Sequence, residues 1–297
     1  MRSERSWEAK RNGGRDTRIA GKRKYMVIRE RKRALLPAVL LVAATLLCAS
    51  CAAGKAVENE RESAGEGGAL ANRFSFLVCG DPHGRTDLLA KVVSQAREGE
   101  FLVVVGDLTT GKGVQEMRKM KDFLDGTGMV YHVIPGDNDM PKGDPSDFKT
   151  VFGPDYYSLD VQDCHMVFMN DAVQGVGCPA DELAWLRQDL AAAAGKLVIG
   201  FTHVPPGAPV KMEDSEAMDR EAESGLDMLD LLEGAGAPVL YCGHLHVFML
   251  YSSGPPRIVV SGGAGASPHM SEQSGGYHHF LRVTVAGDQV SEEVIRL

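Results

Sequence analysis

Residues 74–83, Phe-Ser-Phe-Leu-Val-Cys-Gly-Asp-Pro-His, form a short apolar run that ends in glycine, aspartate and histidine. The same layout returns in residues 101–107 (Phe-Leu-Val-Val-Val-Gly-Asp) and 130–137 (Val-Tyr-His-Val-Ile-Pro-Gly-Asp). Short apolar runs that stop at glycine predict buried strands. Helical spacing in residues 86–97 and 114–123 predicts the helices between these strands. Strands alternating with helices in this way indicate an α/β fold.

The alternation continues to the end of the chain. Residues 156–161 and 164–170 are predicted to be two paired strands, and a helix is expected over residues 181–194. Residues 204–223 are rich in proline and acidic side chains, which predicts an acidic loop or lid. The remaining predicted strands cover residues 197–201, 239–242, 257–261 and 279–285. Neither a repeat nor a linker interrupts residues 73–297, which predicts a single domain.

Five of the predicted strands are followed directly by side chains that bind metals. These seven candidate ligands are Asp81, His83, Asp107, Asp137, His203, His244 and His246. In α/β sheets the loops at the carboxyl ends of the strands lie close together, so ligands distant in sequence can form one site. Glycine beside most of them allows the sharp turns that such loops need.

The ligand types and their number restrict the kind of metal site. Imidazole with carboxylate favours iron, manganese, zinc or cobalt and argues against a thiolate site. Seven ligands are too many for one ion, but they suit two ions about 3.5–4 Å apart that share a bridging carboxylate. The sequence therefore predicts two divalent or trivalent metal ions as cofactors.

The ordered set of motifs over residues 74–297 resembles the calcineurin-like metallophosphoesterase family. That resemblance implies a four-layer sandwich of two mixed β-sheets flanked by helices. It also implies two metal ions that are bridged by Asp107. Asp81, His83 and His246 would bind the first of them. The second ion's ligands would be Asp137, His203 and His244. The implied reaction is hydrolysis of phosphomonoesters or phosphodiesters, in which a hydroxide held by both ions attacks phosphorus.

The third motif departs from the family pattern. Residues 136–139 are Gly-Asp-Asn-Asp where the family has Gly-Asn-His followed by Asp or Glu. Asn138 and Asp139 are the candidate catalytic residues beside the metals. Asn138 can donate a hydrogen bond but, unlike histidine, cannot protonate a leaving group near neutral pH. We therefore expect a preference for phosphodiesters or for esters with good leaving groups. The alternative is a surface lipoprotein with a degenerate site that binds metal or a partner without catalysis.

The N-terminal region has a different composition from the rest. Residues 1–50 carry 13 Lys and Arg against 4 Asp and Glu, and they end in an apolar run at residues 34–47. This layout is typical of an export signal. Ala49-Ser50-Cys51 resembles a bacterial lipobox, which predicts lipidation of Cys51 and an extracytoplasmic, membrane-anchored protein. Residues 1–25 are interpreted as an upstream mis-start or, alternatively, a basic tail, and residues 52–72 as a flexible tether.

The chain beyond residue 50 carries 19 Lys and Arg against 36 Asp and Glu. This acidic composition argues against nucleic-acid binding through general electrostatics, and the expected partner is a small phosphate ester. Residues 106–113 nearly match a phosphate-binding P-loop but end in glycine where Ser or Thr is required. Among the other histidines, His132 and His165 are expected to be structural. Surface positions are expected for His278 and His279, and His269 is a weak site candidate.

Overall fold

The structure is a computed structural model that describes residues 73–208, 215–251 and 254–297, with the backbone alone described for 215–223. The predicted signal, Cys51 and the tether lie outside the described residues. The α-helices in the described residues are α1 (Thr86–Ser94), α2 (Val114–Gly126), α3 (Ser146–Phe152), α4 (Ala180–Ala192) and α5 (Ser215–Gly234). The strands are β1 (Arg73–Cys79), β2 (Leu102–Val105), β3 (Tyr131–Ile134), β4 (Tyr157–Val161), β5 (Cys164–Phe168), β6 (Leu197–Phe201), β7 (Val239–Cys242), β8 (Phe248–Tyr251), β9 (Arg257–Ser261), β10 (His279–Ala286) and β11 (Gln289–Arg296).

The strands form two mixed sheets. The first has the order β11-β10-β1-β2-β3, and the second has the order β4-β5-β6-β7-β9-β8. Strands β1, β2 and β3 are parallel to one another, as are β5, β6, β7 and β9. Since parallel strands end at the same edge of their sheet, the loops that carry the candidate ligands of each sheet share one edge.

Alternation along the strands builds the layers. In β1, Phe76 and Val78 belong to a core that also contains Phe168 and Phe201 of the second sheet. The intervening residues of β1 pack on the other face, together with residues of α1 and α2. The outer face of the second sheet is covered by α4 and α5, through side chains such as Leu186. Helix, sheet, sheet and helix are therefore stacked in four layers, which confirms the predicted α/β sandwich.

Some local predictions were wrong. Residues 204–223 are not a continuous loop, because α5 begins at Ser215. Gly225 within this helix is explained by close packing, since a Cβ atom there would lie 3.0 Å from Cβ of Pro206. The elements α3, β8 and β11 were not predicted from the sequence, because they are short or polar. In β11 the sequence Gln-Val-Ser-Glu-Glu-Val-Ile-Arg contains too few apolar residues to show a clear alternation.

Among the described residues, no helix combines the length and the apolar character that crossing a bilayer requires. The four cysteines in this part of the chain, Cys79, Cys164, Cys178 and Cys242, are buried and form no disulfide.

Candidate metal centre

Most of the candidate ligands lie on strained turns. Asp81, His83, Asp107, His244 and His246 all have φ angles between 45° and 68°. Residues other than glycine rarely adopt this left-handed region, and each instance costs on the order of 1–3 kcal/mol. Five such residues at the ends of β1, β2 and β7 indicate that the fold holds these side chains in place against local preference.

The first ligand group consists of Asp81, His83, Asp107 and His246. Each offers one ligand atom, and these four atoms lie within 4.8 Å of one another. Nε2 of His83 is 3.0 Å from Oδ2 of Asp107, and Nε2 of His246 is 3.4 Å from Oδ1 of Asp81. Both carboxylates are almost completely buried. The group is therefore a compact set of imidazole and carboxylate donors below the surface.

The second ligand group consists of Asp137, His203 and His244, again with one ligand atom each within 4.8 Å. Oδ1 of Asp137 is 3.1 Å from Nε2 of His203 and 3.1 Å from Nδ1 of His244. His203 is buried, whereas 47% of the Asp137 side chain is exposed. This group joins the ends of β3, β6 and β7, and so it spans both sheets.

Asp107 connects the two groups. Its Oδ2 atom contacts His83 of the first group, and its Oδ1 atom is 3.5 Å from Nε2 of His203 in the second. The structure thus brings all seven sequence-predicted ligands together in the predicted division. Asp107 lies between the two groups, with one carboxylate oxygen near each.

Neighbouring residues fix the orientation of the histidine rings. Nδ1–H of His203 donates to the carbonyl oxygen of Val105 at 2.9 Å, and Nδ1–H of His246 donates to that of Ser267 at 3.0 Å. Because a carbonyl can only accept, Nε2 of each ring stays available as a ligand. The Asp171 carboxylate also accepts from the backbone N–H of His203 at 3.1 Å, which holds this loop in place.

Glycines let the loops of the two sheets approach closely. Gly106, with φ of 86°, lies against the imidazole of His203, and a side chain there would overlap the ring. A Cβ atom on Gly243 would lie 2.6 Å from the carbonyl oxygen of Val105. These two glycines are therefore required by the close contact between ligand loops.

The electrostatics of the centre are dominated by the clustered carboxylates. Burial opposes protonation of His203, but the negative charges of Asp107, Asp81 and Asp137 outweigh it and raise the pKa of His203 well above its ordinary value. Burial likewise opposes ionisation of Asp137, but its bonds to His203 and His244 lower its pKa. The clustered carboxylates therefore stabilise a positive charge between them, as the residues of a cation site do.

Asp139 is placed differently from the catalytic role predicted for it. Its carboxylate is completely buried and accepts hydrogen bonds from the backbone N–H groups of Leu108, Thr109 and Gly136 at 2.9, 2.9 and 3.0 Å. The Thr109 hydroxyl adds a bond of 2.8 Å. Burial and the nearby charge of Asp107 raise the pKa of Asp139 to about 7, although these donors oppose the shift. Asp139 thus joins the loops after β2 and β3 through its hydrogen bonds.

Asn138 lies at the mouth of the centre, half-buried. Its side-chain amide donates to Oδ2 of Asp107 at 2.6 Å, and its backbone N–H donates to Oδ1 of Asp107 at 2.9 Å. The position that carries histidine in the family pattern is therefore adjacent to the shared carboxylate. An amide here can orient a group by hydrogen bonding but cannot exchange a proton.

Residues 106–113 do not form a phosphate-binding P-loop, because their backbone N–H groups already donate to carboxylates. Asp139 accepts from the N–H groups of Leu108 and Thr109, and Glu116 accepts from those of Thr110 and Lys112. Backbone N–H groups that already bind carboxylates do not offer a cradle for phosphate.

The histidines outside the ligand set lie in different surroundings. His132 and His165 lie in β3 and β5, as expected, and His165 contacts Asp160 and Asp189. His279 was expected at the surface, but it is completely buried next to the segment that follows β9. His269 lies at the centre, because its ring centroid is 4.0 Å from that of His246.

Sequence reasoning missed Asp171, which supports His203. The signal was present: Asn170 and Asp171 follow the buried strand β5, as the candidate ligands follow their strands. The strand predicted for residues 164–170 ends at Phe168 in the structure, so that Asn170 and Asp171 lie in the loop that follows it.

Comparison with known families and structures agrees with this architecture. The family model described as calcineurin-like phosphoesterase matches residues 74–248, which is more than half of the chain and includes all seven candidate ligands. A search of curated protein sequences gave no significant match.

Several solved structures share the fold at low sequence identity. A purple acid phosphatase from yellow lupin (Lupinus luteus) seeds has a TM-score of 0.59 at 12% identity, covering 76% of this chain and 52% of the phosphatase. The present chain therefore aligns with about half of that protein. A dimetal phosphatase from Danio rerio has a TM-score of 0.56 at 14% identity, covering 75% and 98%. GAP50, the anchor in the inner membrane complex of Plasmodium, has a TM-score of 0.54 at 13% identity, covering 75% and 84%.

Proposed function

Because the chain belongs to the calcineurin-like phosphoesterase family, we propose that it is a metal-dependent hydrolase of phosphodiesters or phosphomonoesters. The observation that carries this proposal is the pair of ligand groups joined by Asp107. A single ligand group would suit a structural ion, whereas two groups sharing a carboxylate suit two-metal phosphoryl chemistry.

The donor set fits two divalent or trivalent ions. Asp81, His83 and His246 would hold one of them, and Asp107 would contact both. The ligands of the other ion would be Asp137, His203 and His244. Mixed imidazole and carboxylate donors suit manganese, zinc, iron or cobalt. Once bound, such a metal pair supplies a hydroxide for in-line attack on phosphorus and offsets the charge of the phosphoryl oxygens.

The residues of the chain have separate tasks in this reaction. The carbonyl oxygens of Val105 and Ser267 accept hydrogen bonds from the His203 and His246 rings and orient them, so that the ligand atoms are fixed before substrate arrives. Asn138, adjacent to Asp107, would donate its amide N–H to a phosphoryl oxygen. Asp139 would hold the loops after β2 and β3 at a fixed separation through its hydrogen bonds to both.

The preferred substrates follow from Asn138. Without a histidine here, the leaving group receives no proton from this position, which slows poor leaving groups by roughly 10²–10⁴-fold. Phosphodiesters and esters of acidic alcohols need such help less. We therefore expect turnover to decline steeply as the leaving group becomes more basic.

The predicted location restricts the substrates further. If Cys51 is lipidated, the enzyme faces the cell envelope, where small phosphate esters include nucleotides, lipid head groups and envelope phosphodiesters. A Cys51→Ser variant is expected to lose lipid labelling and to leave the membrane fraction. Unchanged fractionation of this variant would contradict the lipoprotein assignment.

The test of the proposed activity uses the full chain. Protein freed of metal with a chelator and reloaded with manganese is expected to hydrolyse a chromogenic phosphodiester, whereas the chelated protein is not. Asp122→Ala, a change of an exposed residue on α2, is the matched control and should retain full activity. A loaded protein that turns over no ester would favour the alternative of a lipoprotein that binds metal or a partner.

A further inference from the structure

His269 terminates a glycine-rich segment, residues 262–269, that follows β9. This segment is hydrogen-bonded to the loop after β1. The N–H of Ala264 donates to the carbonyl oxygen of Gly80 at 3.0 Å, and the N–H of Ala266 donates to the backbone carbonyl oxygen of Asp81 at 2.8 Å. A Cβ atom on Gly265 would overlap the carbonyl of Pro82. The segment is therefore packed tightly against the loop that carries two of the candidate ligands.

The ring of His269 covers a ligand ring. Its centroid is 4.0 Å from the centroid of His246, with an angle of 33° between the ring planes. His246 in turn has a ring contact with His83 at 4.9 Å. His269 thus belongs to the same cluster of imidazoles, although it is a member of neither ligand group.

Its ring nitrogens have no hydrogen-bonding partner within the described part of the chain, and the side chain is exposed. His246 and His203, by contrast, each donate to a backbone carbonyl. His246 does not need His269 for its orientation, because Ser267 already fixes its ring. A histidine without a partner beside a metal centre has a donor available for a molecule that binds there.

We propose that His269 contacts the substrate, by donating a ring N–H to a non-bridging oxygen of the phosphoryl group at the centre. This inference rests on the proposed phosphoesterase function and adds a residue to it. Asn138 contacts Asp107, whereas His269 contacts His246, so the two donors lie beside different ligands. His269 would thereby supply an imidazole donor from the segment after β9, at a different place from position 138.

Three variants separate hydrogen bonding from packing. His269→Ala removes the ring and the donor, His269→Phe retains a ring against His246 without the donor, and His269→Gln retains a donor without the ring. Gln273→Ala, an exposed change later in the same loop, is the matched control.

The probe is inorganic phosphate titrated into the manganese-loaded full chain by calorimetry, with metal content measured in parallel. Loss of a hydrogen bond to a charged oxygen is expected to weaken phosphate binding roughly tenfold or more in His269→Ala and His269→Phe. His269→Gln should lie between these variants and the wild type. Metal content should stay unchanged in all of them, and Gln273→Ala should match the wild type in both measurements.

Wild-type affinity in His269→Phe would overturn the proposal, because the ring would then act by packing alone. Loss of an ion from His269→Ala would also overturn it, since His269 would then be a metal ligand. Failure of the proposed function has a separate signature. A wild-type protein that binds phosphate but hydrolyses no ester would contradict catalysis, while the contrast among the His269 variants would still test the phosphate contact.

Discussion

The two ligand groups differ in how far they are removed from solvent. In the first group the carboxylates of Asp81 and Asp107 are at most 2% exposed. In the second, 47% of the Asp137 side chain is exposed. Buried charges are screened less by water and hold an ion more strongly. We infer that the first group retains its ion more firmly than the second, open group does.

Removing the shared residue should have the largest effect, because it damages both groups at once. Asp107→Ala deletes the contacts to His83 and His203. Phosphodiester turnover is expected to fall below detection and metal content to drop below one ion per chain. Kinetic assay and elemental analysis of the same sample check this. If the variant keeps its phosphodiester turnover, or if it still binds two ions per chain, the bridging position of Asp107 is contradicted.

Removing one ligand from each group in turn should expose the difference between them. His244→Ala damages the open group and should leave one ion that resists chelator. His246→Ala damages the buried group and should leave one ion that is lost at least about tenfold faster. Timed chelator treatment followed by elemental analysis gives both rates. Equal rates would show that burial does not set the retention of the ions.

Much of this comparison was accessible from sequence. The seven ligands could be predicted because each follows a buried strand, and the carboxyl ends of parallel strands meet at one edge. The difference in exposure was not accessible. It depends on how the loops after β2 and β3 lie relative to those of the other sheet, and the motifs Gly106-Asp107 and Gly136-Asp137 are identical in sequence.

The mouth of the open group can be altered without touching a ligand. Asn138→His introduces an imidazole next to Asp107, where it can protonate a leaving group. Turnover of alkyl phosphates should rise roughly 10–100-fold, with a smaller change for nitrophenyl esters. A series of substrates with graded leaving-group pKa measures this. If alkyl phosphate turnover falls or stays the same, Asn138 does not limit the reaction.

The smallest effect on turnover is expected at Glu182, which supports the open group and is expected to change stability instead. Burial raises the pKa of Glu182 in α4 to about 9, and the acids Asp171 and Asp155 add to the shift. Its Oε1 atom accepts from the backbone N–H of Asn170 at 2.7 Å, next to the residue that holds His203. The folded protein therefore binds this proton more tightly than the unfolded chain, whose Glu182 has the ordinary value of 4.5.

The sign of the pH dependence follows from that difference. Between about pH 4.5 and pH 9 the folded state holds the Glu182 proton and the unfolded state releases it, so the free energy of unfolding falls as pH rises, by up to about 1.4 kcal/mol per unit. Glu182→Gln should flatten this slope and make the protein more stable than wild type at pH 8. Urea unfolding at pH 5.5, 7 and 8 measures it. An unchanged slope would show that Glu182 is ionised in the folded protein.

His269 and Asp139 mark where sequence reasoning was insufficient. Asp139 matches the acidic position of a motif, yet its four hydrogen bonds all lead to the loops after β2 and β3. His269 matches no motif, yet its segment brings it onto His246. In both cases the surroundings of the side chain depend on contacts distant in sequence. Asp139 bonds to a loop about thirty residues away, and His269 stacks on His246, which lies in the loop after β7.

The central claim is that two ions, one in each group, act together on a phosphate ester. Its most direct test is to titrate the metal-free protein with manganese while measuring bound ions per chain and turnover of a chromogenic phosphodiester on the same samples. We predict that the first ion binds with little activity, that the second binds more weakly, and that turnover rises with the second. Full turnover with one ion bound, or two ions bound without turnover, would contradict the claim.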